Sequence, residues 1–159
     1  MQHYLTKKNY KMKKLTTIAT AALLLFSVSA FASNGDEVTA KVKFAFEKDF
    51  TKAKNVNWKK TGDFYFASFI MNDFIVDAAY NEEGELIGIS RKIAIEQLPL
   101  SISLALSQKY SGYTISEDAT ELTFNGETKY FVTVVNAKQA LRLQCMSNGD
   151  VSVDKKIKK

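Results

Sequence analysis

Hydrophobic positions along this chain pass from one helical stripe into alternating strands, and then make the same change again. Val38, Val42, Ala45, Phe46 and Phe50 recur at the spacing of a single helix face, with Lys41, Lys43, Glu47 and Lys48 mostly elsewhere on the wheel. Alternating segments follow at 56–60, 64–71, 74–80 and 86–92. They are separated by Thr61-Gly62-Asp63, Asn72-Asp73 and residues 81–85, short polar stretches that suit hairpins because Asn, Asp and Gly tolerate positive φ. A second stripe, Leu98, Ile102, Ala105, Leu106 and Tyr110, begins with Pro99 placed for a first helical turn. Strands are then predicted at 114–124, 130–135, 140–146 and 151–154, with turns at Asn125-Gly126 and Asn148-Gly149.

Gly84 and Gly149 stand 65 residues apart, and so do Tyr65 and Tyr130. Self-similarity at a fixed displacement predicts a duplicated unit. Sequential hairpins imply antiparallel pairing. The expected fold class is therefore α+β: a tandem repeat of helix plus antiparallel four-stranded meander, with the helices packed on one face of the sheet and repeats at about 36–95 and 96–159.

Residues 1–32 read as a signal peptide. Lys7, Lys8, Lys11, Lys13 and Lys14 precede the apolar run 18–28, and Ala30-Phe31-Ala32 supplies the small-x-small pattern for cleavage before Ser33. The apolar run falls short of the roughly 20 residues that span a bilayer. No membrane span is expected after cleavage, and Ser33 in place of Cys leaves no site for a lipid anchor. Residues 33–159 then form a single domain, expected in the periplasm or secreted.

Cleavage changes the charge balance. The whole chain has 22 Lys and Arg against 17 Asp and Glu, but five of the lysines and none of the acids lie in the leader. The mature chain is near neutral, so the basic pI of the precursor argues for neither nucleic acid nor an anionic membrane as partner. The leader also holds the only histidine, His3. The mature chain therefore has no imidazole for general-base catalysis, for a Ser/His or Cys/His pair, or for a zinc site. Cys145, the sole cysteine, alternates in register with Leu141 and Leu143 and reads as a buried small hydrophobe. Neither catalytic residues nor cofactors are expected.

Strand alternation also assigns faces. Val56, Trp58, Val76, Ala78, Leu141 and Leu143 lie opposite Asn57, Lys59, Asp77, Arg142 and Gln144, so the apolar set should face the helices. In the segment 64–71 both sets are apolar. Because Tyr65 corresponds to Tyr130, which shares a side with Val132 and Val134, the set Tyr65, Phe69 and Tyr130 is placed inward. Phe64, Phe66, Ile70 and Phe131 are left on the open face, a candidate partner-binding surface. The bland alternative is that a loop, the other repeat or a second copy covers them, or that the register is off by one.

The ordered series Phe50-x-x-Ala53-x-x-Val56-x-Trp58, Gly62-Asp63-x-Tyr65-x-Ala67-x-Phe69, Val76-x-Ala78-x-Tyr80-x-x-x-Gly84 and Leu98-Pro99 resembles the PepSY-like proteins whose fold is similar to the β-lactamase inhibitory protein. These are small exported proteins of Bacteroidetes-type bacteria. The resemblance runs over the whole mature chain and departs at Thr51, where the family commonly has Pro, and at Phe66, where a polar residue is common. It implies a tandem helix-plus-sheet fold and a periplasmic binding or inhibitory module, with no catalytic residue to carry over. Lactamase inhibition does not follow from shape, since fold does not fix function.

The expected function is an exported, non-enzymatic module that binds a protein or peptide of the cell envelope, such as a peptidase to be restrained. Two alternatives belong to other classes. A small-ligand carrier would use a cavity between helix and sheet, and a carboxylate-dependent metal-binding protein would use Glu82, Glu83 and Glu85 or the pair Glu117-Asp118.

Overall fold

The computed structural model of the protein describes residues 38–158. The expected signal peptide, its expected cleavage point before Ser33 and His3 lie outside the described residues. Helix α1 (Ala40–Asp49) starts where the Thr39 hydroxyl accepts from the Val42 amide at 3.3 Å, satisfying one of the four amides a helix start leaves without a partner. It ends at Phe50, whose N–H returns to the Phe46 carbonyl at 2.8 Å. Strands β1 (Lys54–Thr61), β2 (Phe64–Met71), β3 (Phe74–Asn81) and β4 (Leu86–Ala94) follow, then a 3-10 turn (Ile95–Gln97) and helix α2 (Leu100–Lys109). Pro99 holds the cap position just before α2. The chain finishes with β5 (Thr114–Phe124), β6 (Glu127–Val135), β7 (Ala140–Met146) and β8 (Val151–Ile157).

The hairpin turns follow their residue chemistry. Asn72 and Asp73 both have positive φ (50° and 66°), as do Asn125 and Gly126 (49° and 80°), the pattern whose backbone twist matches that of the strands it joins.

The expected tandem repeat of helix plus four-stranded meander is corrected by the pairing of β4 with β5. The two strands run antiparallel in continuous register from Gly88↔Phe124 to Ala94↔Asp118, so all eight strands form one sheet in the order β1 to β8. Strand makes up 55% of the structure and helix 19%; one long sheet, and not a pair of helix-plus-meander units, is the organising element. The physical reason is the edge. Two separate meanders would leave four rows of unpaired N–H and C=O groups, and joining β4 to β5 removes two of them.

Both helices lie on the same face. Paired residues point to one side of a sheet, and Val76 pairs with Arg91, Arg91 with Glu121, and Glu121 with Tyr130. Val76 belongs to the cluster under α1, with Val42, Phe46, Phe50, Tyr65, Ala67, Phe69, Ala78 and Tyr80. Tyr130 belongs to the cluster under α2, with Ile102, Leu106, Val132, Val134, Leu141, Leu143 and Cys145. Aromatic rings fill the space beneath α1: Phe46 stands 5.0 Å from Phe69 and 5.1 Å from Trp58, both edge-on. Tyr80, fully buried, donates its hydroxyl to Asp49 at 3.0 Å and so ties the end of α1 to β3.

Candidate functional site

The face turned away from the helices is built by the alternate residues of the same strands. Phe64 pairs with Thr61 and Asn81, Phe66 with Lys59 and Ala79, and Ile70 with Lys54 and Ile75. Phe131 pairs with Thr120 and Gln144. Register carries this side across the sheet from Asp77 to Ser90, Leu122 and Lys129, so all four residues lie on one face, opposite Tyr65, Phe69 and Tyr130.

They do not form one open stripe. Phe66 and Phe131 are buried, at 8% and 7% exposure, while Phe64 and Ile70 are half-buried. Three of them sit on β2 and one on β6, four strand spacings or about 19 Å apart. Between them lie Ala79, Gly88, Leu122 and Phe124, which the sequence reading did not single out. A β-carbon at Gly88 would stand 3.0 Å from the Phe124 ring, so that ring lies directly over the glycine. The signal for Leu122 and Phe124 was present in the alternation of residues 114–124. The exposed end of the face is Ile75, at 63%.

Polar groups break this apolar surface at two points. At its centre Ser68 donates to Asp77, with Ser90 buried beside them. Burial raises the Asp77 carboxyl above its ordinary value of 3.8, and the Ser68 hydrogen bond offsets part of the rise. Toward β8, Arg142 is buried on this face. It pairs through Nε with Asp154 at 2.7 Å and stacks its guanidinium 4.6 Å from the centre of the Phe131 ring.

The helix side carries a polar seam between the two clusters. Arg91 Nε meets Glu121 at 2.5 Å, the Tyr130 hydroxyl donates to the same carboxylate at 3.3 Å, and Arg91 lies over Phe74 at 5.8 Å. Cys145 is buried, and desolvation pushes its thiol up to about 11, which holds it protonated and unreactive. Glu82 pairs with Lys60 at 3.8 Å, Glu85 accepts from Asn81, and Asp118 pairs with Lys92 at 2.6 Å. Among the described residues no group of three or more His, Cys, Asp or Glu side chains is gathered as metal ligands would be.

No family model, PepSY-like or other, matches the chain, and no curated protein matches it. Solved structures do. A DUF2874 family protein from Bacteroides uniformis superposes with a TM-score of 0.66 at 19% identity, covering 76% of this chain and 89% of that one. A BLIP-like protein from Bacteroides fragilis gives 0.67 at 17%, covering 77% and 89%. A candidate periplasmic protein from Bacteroides eggerthii gives 0.66 at 16%, covering 76% and 88%. At these identities the likeness establishes the fold, which is BLIP-like. No helix among the described residues is long and apolar enough to cross a membrane.

Proposed function

We propose that the chain is an exported, non-enzymatic binding module that takes a protein or peptide of the cell envelope on the sheet face away from the helices, contacting Phe64 and Ile70, while the buried Phe66 and Phe131 continue the apolar surface of that face. The observation that carries this reading is an apolar surface on the side of the sheet that the helices do not use. Ile75 is exposed there, Phe64 and Ile70 are half-buried, and Phe66, Leu122 and Phe131 continue the surface inward. The likeness to a BLIP-like protein and to a candidate periplasmic protein supports a binding role outside the cytoplasm. Residues 33–159 contain no histidine, which leaves no imidazole for general-base catalysis. The rival carrier reading is weakened by the rings of Phe46, Trp58 and Phe69, which fill the space directly beneath α1 and leave a ligand only an open groove of about 480 Å³ at the β1 edge, lined by Phe46, Glu47, Phe50, Val56 and Trp58.

The test uses immobilised mature chain and envelope extract from the native host. Phe64→Ser and Ile70→Ser change half-buried positions and should leave the melting temperature within a few degrees of wild type. Each should weaken capture of a defined partner by about 2 kcal/mol, as removal of an interface anchor does. Capture that is unchanged in both variants would overturn the assignment of this face.

A further inference from the structure

Asp77 lies at the centre of the open face, half-buried, with no cation against it. Register puts Asp118 and Glu127 on the same face, and each of these meets a cation: Asp118 meets Lys92 at 2.6 Å and Glu127 meets Lys129 at 3.7 Å, while Asp154 meets Arg142 at 2.7 Å. Asp77 has the Ser68 hydroxyl, which donates to Oδ1, and no ion pair among the described residues. The cation nearest by register is Lys92, one strand over and two residues along, and its ammonium is held by Asp118. Lys54 and Lys59 stand two strands away on β1, about 12 Å by strand spacing and rise, and neither pairs with Asp77.

Ser90 adds a second polar group at the same place. It pairs directly with Asp77 across β3 and β4, is 3% exposed, and its hydroxyl makes no hydrogen bond among the described residues. Asp77 Oδ2 likewise accepts from no described residue. Two acceptors on neighbouring strands thus stand side by side, roughly 5 Å apart at the backbone. The side chains directly beside them, Ser68 and Ala79, are small, whereas Phe66, Ile70, Ile75 and Leu122 rise around them. A side chain with a long apolar stem and a cationic tip matches this arrangement, because the stem can lie on Ile70 and Ile75 while the tip donates to the carboxylate. The carboxylate also opposes folding, since burial without a counter-charge lifts its pKa above 3.8. Perturbed groups of this kind cluster at functional sites.

We infer that the open face recognises a cationic side chain, arginine or lysine, of the protein or peptide it binds, with Asp77 as the counter-charge and Ser90 as a second acceptor. This rests on the reading of that face as the partner surface and adds the chemistry of the partner.

The probes are three acetylated, amidated tripeptides, Leu-Arg-Phe, Leu-citrulline-Phe and Leu-Glu-Phe, titrated at neutral pH into isotope-labelled mature protein and followed by amide chemical shifts. The arginine peptide should shift the amides of Ser68, Asp77 and Ser90 saturably. It should bind about tenfold or more tightly than the citrulline peptide, which keeps the shape and loses the charge, and the glutamate peptide should bind more weakly still. Asp77→Asn keeps the shape of the site and an acceptor for Ser68 while removing a group that opposes folding, so the variant stays folded; in it the preference for arginine over citrulline should disappear. Glu127→Gln, at an exposed acid of the same face, should leave the preference intact. Equal affinity for the arginine and citrulline peptides, a preference that survives in Asp77→Asn, shifts confined to other parts of the protein, or no saturable shift would each overturn the inference. The capture experiment separates it from the reading beneath it. Capture that depends on Phe64 and Ile70 without any arginine preference leaves the binding face and removes the cation site. An arginine preference that tracks Asp77, with capture indifferent to Phe64 and Ile70, leaves the cation site and removes the wider apolar surface.

Discussion

Gly149 sits against Ser101: a β-carbon placed on the glycine would stand 3.0 Å from the Ser101 carbonyl oxygen. The turn between β7 and β8 thereby touches the first turn of α2, and Ser101 Oγ closes the contact by donating to the Ser147 carbonyl at 2.6 Å. Gly84 makes a similar approach to the Lys41 carbonyl of α1, at 3.2 Å. Gly149 also has φ +94°, which L side chains adopt only with strain. Gly149→Ala combines both penalties and should cost about 2 to 4 kcal/mol. Gly126→Ala separates them: its φ is +80° but nothing lies within 4 Å of the new β-carbon, so it should cost only about 1 to 2 kcal/mol. Equal losses of melting temperature in the two variants would show that the contact with α2 carries no energy.

Those turn glycines were legible in the sequence because turn chemistry is local. So were the helix stripes: Val42, Phe46, Ile102 and Leu106 are all buried under their helices. The pairing of β4 with β5 was not legible. Alternation tells which way a side chain points but not which strand lies alongside, and α2 separates these two in sequence. The face assignment of Phe66 and Phe131 could be read, but their burial could not. It depends on neighbours such as Arg142, which comes from β7 and stacks on Phe131.

Trp58 illustrates the effect of an edge. Its alternation with Val56 reads as full core, yet it is half-buried, packed 5.1 Å from Phe46 and 6.3 Å from Tyr80, and it lines an open groove between β1 and the end of α1. Trp58→Ala should therefore cost about 2 to 3 kcal/mol, below the range for a fully enclosed aromatic. Chemical denaturation checks the value, and acrylamide should quench the native emission partially. Quenching as complete as in the unfolded chain would mean that the ring does not pack under α1.

Asp77 links the apolar face to pH. Its carboxyl is raised above 3.8 chiefly by burial, with the Ser68 hydrogen bond acting against the rise. The folded state then holds a proton that the unfolded state has released, and stability falls as pH rises from the unfolded value through the folded one. Above that window the charged carboxylate is a constant burden. Asp77→Asn keeps an acceptor for Ser68 and removes the charge, so it should melt higher than wild type at pH 7. The advantage should vanish below about pH 4, where both states of the wild type are protonated. A variant less stable than wild type at pH 7 would show that Asp77 is better solvated, or better paired, than its position in the face implies.

An ion pair ties the final strand to β7. Arg142 on β7 and Asp154 on β8 are both mostly buried, with side chains 11% and 16% exposed, and their Nε–Oδ2 distance is 2.7 Å. Removing one member of such a pair leaves the other charge uncompensated, so Asp154→Ala should cost about 3 kcal/mol or more. Lys92 and Asp118 meet at a similar 2.6 Å but are 67% and 52% exposed, and Lys92→Ala should change stability by about 1 kcal/mol or less. Arg142→Lys should fall well short of wild type despite keeping the charge, because an ammonium cannot both bind the carboxylate in the guanidinium's planar geometry and stack on Phe131. Hydrogen exchange adds the spatial readout: in Asp154→Ala the amides of β8 should lose protection before those of β5 and β6. Uniform loss of protection across the sheet would mean that the ion pair supports the fold as a whole and not the edge strand.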